Sequence, residues 1–390
     1  MGEGADAEGG RRSGLDVARV VALGAAALLH GVLALSVAEA WDTPELTRRD
    51  WWVFWDAGRR LLGGELAGIY DARPGGFPFL HPPPVIVASA PLGALGAHAA
   101  FVATLALAGL ALGVAVVALR GLAPERRREH DLVWLATLAS APWLIALVLG
   151  QPTAVLLAAR LTGFWAWRRE HPVLAGLALS VAALKPPFVL APLAFAVVTR
   201  RWRALAGLVG GIAVLGLLSA PAGAARWPAW VTAVGRVTAE LGAGELALWK
   251  HHTWLALVRS VAPATLTWIA WAAVALPMGA WTLVRARAVA QLGWLRVAGI
   301  LALATVALGP YAYFYDALLL VLPAAAAWLE RARYARRWPV ASLGALTFVW
   351  QHVAFFGWQG GPAVGGALAL AWLAAELSTP VRRTPAAGLS

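Results

Sequence analysis

Apolar residues run in long blocks along the chain, and polar residues collect in the gaps between them. The blocks lie at about 17–38, 98–119, 131–149, 152–167, 172–184, 187–199, 204–220, 264–284, 296–309, 312–329, 339–357 and 363–378. A bilayer core is crossed by roughly 20 apolar helical residues, so these blocks predict about twelve crossings. The first run ends in "SVA" at 36–38, which resembles a signal cleavage site. That run exceeds the ~7–15 residues of a signal core and is read as an uncleaved first helix. A shorter apolar piece at 84–97, after "HPPP", is read as re-entrant or interfacial. The runs at 172–199 are short enough to be one bent hairpin. In the first long gap, a helix over 50–62 would put Asp50, Phe54 and Gly58 on one side, with Trp51 and Trp55 alongside. Asp56 would point elsewhere, toward Arg59 or Arg60.

The expected fold is therefore an all-α polytopic membrane protein with an amphipathic outer-loop helix. Its expected layout is an N-terminal tail at 1–16, one transmembrane domain at 17–378 and a C-terminal tail at 379–390. The arginines orient it. Arg11/Arg12, Arg126–Arg128, Arg168/Arg169, Arg200/Arg201/Arg203, Arg285/Arg287/Arg296, Arg331/Arg333/Arg336/Arg337 and Arg382/Arg383 fall in alternate gaps. Basic gaps face the cytoplasm, which places both termini inside in a cell (inner) membrane. The loop 39–83 carries arginines of its own, together with acids, and is the main exception. The outer gaps are then 39–83, the tips at 150–152 and 185–187, the loop 221–263, the tip at 310–316, and 358–361. Nearly every unusual polar residue lies in one of them.

Composition agrees. The chain is 60% hydrophobic and 13% charged, with 22 tryptophans, against about a quarter charged in soluble domains. The net charge of +12 invites a nucleic-acid reading, but the arginines sit in short gaps between apolar runs, so no nucleic-acid partner is expected. There is no cysteine, which excludes disulfides and thiolate metal sites. No phosphate-binding Gly loop, dinucleotide fingerprint or nucleophile elbow occurs in a suitable context.

The candidate chemistry lies in the outer gaps. Asp50 is either a loop acid paired with Arg48 or Arg49, or a partly desolvated carboxylate available as general base. Lys185 and Lys250 are the only lysines of the chain. Lys185 falls at membrane depth, where ionisable groups usually have a function; it is either a snorkelling lysine or a point charge for a phosphate. His251 and His252 lack the spacing of a metal motif and suit hydrogen bonding to a sugar or a phosphate. Arg259 could join the same anionic pocket. Tyr311, Tyr313, Tyr315 and Asp316 crowd one outer tip, either as an interface belt or for stacking on and bonding to a sugar; Asp316 could equally be structural. Gln151 and His352, near outer ends, are helix-packing or ligand groups.

Ordered fragments of the chain resemble glycosyltransferase family 87. They are an acid ahead of "VFWDAGRRLLGGELAGIYD", then "FPFLHPPPVIVASAPLGAL", "LGQPTAVLLAA", "GLALSVAALKPPFVLAPLAFAVVTRRWRAL" and "GPYAYFYDALLLVLPA". The resemblance implies a membrane enzyme of GT-C architecture that uses polyprenyl-phosphate-linked mannose. It aligns Asp50 with a catalytic base, Gln151 and Lys185 with the "GQ" and "KP" positions, and the "GP…YD" segment, Gly309 to Asp316, with one lining the site. Where some members carry a functional histidine, this chain has Tyr311 and Tyr313. The expected site is thus Asp50 as base, Lys185, Lys250, His251, His252 and Arg259 around the donor phosphate, and Gln151, Tyr311, Tyr313, Asp316, His81 and His352 around sugar or acceptor. No metal or other cofactor is expected. The expected partners are membrane lipid, a polyprenyl-phosphate donor and a glycolipid or glycan acceptor. The alternatives are a transporter or lipid flippase, and a non-catalytic subunit of an envelope-assembly complex. Against transport stand the missing inverted repeat and the one-sided polar residues.

Overall fold

The structure is a computed structural model that describes residues 3–43, 49–71, 79–243, 251, 253–291, 293–310, 312–329, 346–347 and 361–378. Among the described residues it is helical, with no strand and one isolated β-bridge, between His251 and Tyr313. The chain divides into two compact units. One comprises 1–158 and 216–234, the other 159–215 and 235–390.

The first unit contains α1 (Glu3–Ala40), α2 (Trp51–Leu62), the short α3 (Pro83–Ala88) and α4 (Ala90–Gly93), α5 (Ala97–Leu122), α6 (Arg127–Leu138) and α7 (Ala141–Leu149). In α1, Val20, Val21 and Leu35 stay exposed, as suits a helix that meets lipid. It is tied to α7 by His30. The Trp143 indole can only donate, and its Nε1 lies 3.0 Å from His30 Nε2. The imidazole proton therefore sits on Nδ1, which bonds the Ala26 carbonyl at 2.7 Å. Between α6 and α7 the axis bends by 52°. Pro142 removes a helical N–H, and Ser140 caps the new helix by accepting from the Trp143 N–H.

α2 realises the amphipathic pattern, burying Trp51, Phe54, Ala57 and Gly58. Asp56 is also buried, and Arg59 and Arg60 both pair with it, at 3.2 and 3.1 Å, as the helical spacing predicts. A Cβ on Gly58 would strike the Ser89 carbonyl, and one on Gly93 the Arg59 backbone N. The α3–α4 segment thus lies directly against α2. At six and four residues these helices are ~9 and ~6 Å long, too short to cross a bilayer. The Trp51 ring packs 5.3 Å from that of Phe101 on α5.

The second unit holds α9 (Pro172–Ser180), α10 (Leu190–Val198), α13 (Trp254–Val261), α14 (Thr267–Val289), α15 (Trp294–Leu308), α16 (Val321–Leu329) and α17 (Gly361–Ser378). Three further helices contain unit boundaries: α8 (Thr153–Arg168), α11 (Trp202–Leu218) and α12 (Arg226–Ala243). The segments 181–184 and 186–188 are single 3₁₀ turns on either side of Lys185. Lys185 itself is non-helical, with φ −133° and ψ 84°. Pro186 disfavours helix at the residue before it, so the apolar stretch breaks at the lysine. α9 and α11 meet backbone to backbone. A Cβ on Gly176 would strike the Ala204 carbonyl, one on Gly207 the Val173 carbonyl, and one on Gly211 the Ser180 hydroxyl. This is the small-residue packing of membrane helices. α15 is buried on all sides from Leu295 to Ala307 and is the core of its unit.

Four described helical segments are long and apolar enough to cross a membrane: Asp16–Ala40, Ala97–Leu122, Trp202–Ala222 and Thr267–Val289. The bent pair Glu129–Leu138 and Ala141–Leu149 makes a fifth if it is one span. Other apolar helices, such as Pro172–Leu184 and Trp294–Leu308, are shorter. The sequence pattern, which weighs apolar content, counts each of these as a crossing. Two further differences stand out. The loop expected at 221–263 holds α12 and α13. Arg296, expected in a cytoplasmic gap, is buried within α15 and bonds Glu376 of α17 through Nε and Nη2 at 3.1 and 2.8 Å. It therefore carries no information about orientation.

Candidate active site

In the first unit, Asp50 stands at the N-cap position of α2, yet its side chain makes no capping bond. Its Oδ2 instead accepts a hydrogen bond from Gln151 Nε2 at 2.6 Å. Gln151 is buried and follows Gly150, which ends α7 in the left-handed region at φ +66°. A Cβ on Gly150 would overlap that of Trp51 and press on Thr104. Glycine is therefore required twice, by conformation and by contact. The consequence is positional: the "GQ" turn can sit against the first residue of α2 and deliver the amide to the carboxylate beside it. Asp50 is half-buried and oriented by this amide.

His81 lies in the same unit, its ring 4.9 Å from Phe54 and 5.7 Å from Phe79. Its backbone is pinned by Tyr70, whose hydroxyl donates to the His81 carbonyl at 3.1 Å, and by Trp230, whose indole donates to Leu80 O at 3.0 Å. Burial raises the Tyr70 phenol well above its ordinary range, with Arg226 opposing weakly, so this tyrosine stays a neutral donor.

In the second unit, Lys185 projects from the break into an aromatic cage. Its Nζ lies 4.9 Å from the ring centres of Phe188 and Tyr315 and 5.6 Å from that of Tyr313. It forms an ion pair with Asp316 Oδ2 at 2.5 Å. The same oxygen accepts the Tyr313 N–H at 2.8 Å. Asp316 is fully enclosed, so it holds the lysine and starts the 3₁₀ helix 314–320 at once. The Tyr313 ring stacks on Tyr315 at 5.4 Å and meets His251 at 4.5 Å. Thr253 caps α13. On that helix, the two terminal nitrogens of Arg259 are shielded and lack a hydrogen-bond partner among the described residues. Burial holds its guanidinium below the ordinary arginine range.

The expected site residues therefore fall into two groups, Asp50 with Gln151 and Lys185 with Tyr313, Asp316 and His251. Lys250, His252, Tyr311 and His352 lie outside the described residues. Among the described residues no three His, Asp or Glu side chains gather as a metal site. Sequence reading overlooked Phe188, which walls the lysine, and Arg160, buried in α8 and bonded to the Phe188 carbonyl. Phe188 left no signal among so many aromatics. Arg160 did leave one, as a charge inside an apolar run.

A helical fold among the described residues, with several helices long and apolar enough to cross a membrane, a half-buried oriented carboxylate and a caged lysine, is consistent with a multi-pass membrane enzyme. The chain belongs to glycosyltransferase family 87, whose profile matches residues 79–310. The match includes Gln151, Lys185, His251 and Arg259; Asp50, Tyr313 and Asp316 lie beyond its ends. No curated protein and no solved structure matched the chain. Family membership makes it a membrane glycosyltransferase.

Proposed function

We propose that this glycosyltransferase moves a hexose, mannose in the first instance, from a polyprenyl-phosphate donor to a glycolipid or glycan acceptor at the outer face of the membrane. The reading keeps the GT-C bundle of about twelve crossings in one transmembrane domain, with both termini cytoplasmic. The observation that carries it is the Asp50–Gln151 bond. It spares the carboxylate from capping α2 and fixes its direction, as a general base requires.

In the proposed reaction, Asp50 takes the proton of an acceptor hydroxyl. The acceptor oxygen bonds to the anomeric carbon as the bond from that carbon to the phosphate oxygen breaks. The electron pair leaves with the polyprenyl phosphate, and the configuration inverts. Base catalysis contributes about 10²–10⁴-fold. Lys185 is assigned to the leaving phosphate, with His251, Arg259, Lys250 and His252 as further members of that set. Asp316 is assigned to holding the lysine. Gln151, His81, Tyr311, Tyr313 and His352 are assigned to orienting the base, sugar and acceptor. A lipid phosphate is already a good leaving group, so the scheme needs no metal. Each role rests on its own group of residues.

The test is Asp50→Asn, assayed with labelled polyprenyl-phosphate mannose and a membrane extract as acceptor source. Transfer should fall by at least ~10²-fold while the protein stays monodisperse and binds the donor. Near-normal turnover would end the assignment.

A further inference from the structure

Arg160 is a buried charge in the second unit whose two described hydrogen-bond partners are both uncharged. Nη2 donates to the Phe188 carbonyl at 2.6 Å and Nη1 to the Thr305 hydroxyl at 3.2 Å. Both acceptors are neutral. Among the described side chains of this unit, Asp316 is held by Lys185, Glu376 by Arg296, and Glu170 is exposed. A buried cation without a counter-charge is costly, and Thr305, which itself donates to Leu301 O, offers only dipolar relief.

The location gives the cost a purpose. Phe188 ends the turn that Lys185 begins, its N–H bonding the Lys185 carbonyl at 2.8 Å. The Phe188 ring is one wall of the lysine's cage. Arg160 thus grips the backbone of the residue that shapes the lysine's surroundings, and ties that turn to α15. Lys185 and Asp316 cancel each other, so Arg160 leaves the cluster with one surplus positive charge. In a low-dielectric interior such a charge acts over a long range.

We infer that Arg160 is a positioning residue for Lys185, fixing its turn and supplying the net positive charge that draws an anionic donor head group to it. This inference rests on the polyprenyl-phosphate reading above. The experiment measures dissociation constants of a polyprenyl phosphate and of the same polyprenol without phosphate, on the full-length protein in nanodiscs. Wild type should prefer the phosphate. Arg160→Gln keeps a donor for the Phe188 carbonyl but removes the charge; it should weaken phosphate binding by about tenfold and leave polyprenol binding unchanged. Arg160→Lys keeps the charge but not the guanidinium fork, so it should retain a preference for the phosphate over the alcohol that Arg160→Gln loses. Three results would overturn the inference while leaving the donor reading intact: wild-type phosphate affinity in Arg160→Gln, equal losses for phosphate and alcohol, or a folded Arg160→Lys protein without the preference. Failure of both variants to fold would also overturn it, by making Arg160 a packing element only. A wild-type protein that does not distinguish phosphate from alcohol would remove the donor reading itself and this inference with it.

Discussion

Asp50 and Asp56 stand six residues apart on one short stretch, and their neighbours give them different work. Asp56 is enclosed by Arg59 and Arg60, whereas Asp50 has an amide held in place by a glycine turn. Asp56→Ala should cost stability of about 1 kcal/mol, since the exposed part of Arg59 is screened by water. It should leave kcat/KM per folded molecule unchanged, as thermal unfolding and assay would show together. Gln151→Leu should lower kcat about tenfold or more through loss of orientation with little change in unfolding temperature. Lys185 needs a different design. Truncating it alone strands the enclosed Asp316, which costs about 3–5 kcal/mol. The double change Lys185→Met with Asp316→Asn removes both charges and should fold; donor titration of that variant should show weaker binding, and wild-type affinity would exclude the lysine from the phosphate site.

Helices explain which features of the sequence were readable. The α2 pattern was legible because spacing alone decides which residues share a helical face, so Phe54 and Gly58 were placed correctly and Asp56 found its arginines. The break at Lys185 was legible because proline acts locally. The helices within 221–263 were not, because that segment reads as a polar gap when crossings are sought by apolar content. Nor was the Arg296–Glu376 bond, whose partners are separated by 80 positions and share no local pattern. Close packing of α9 on α11 makes an element-level test. Gly207 lies against the Val173 carbonyl, while a Cβ on Gly210 would meet nothing within 4 Å. Gly207→Leu should destabilise by about 1–3 kcal/mol or more through overpacking, and Gly210→Leu should be tolerated; detergent-solubilised melting curves separate them.

At the scale of the molecule, orientation is open to direct measurement because the chain has no cysteine. Single cysteines at the exposed Glu65 and Glu170 should behave oppositely toward a membrane-impermeant maleimide. The first should react in intact cells and the second only after permeabilisation; the reverse pattern would invert the proposed topology. The Arg296–Glu376 bond has a different consequence, for biosynthesis. The ribosome must add a further 80 residues after the arginine before its counter-ion exists. Until then the arginine of the nascent core helix lacks this carboxylate. A chain that stalls or is clipped before Glu376 would never form this bond, so copies truncated there should decay faster than full-length ones in a pulse-chase comparison.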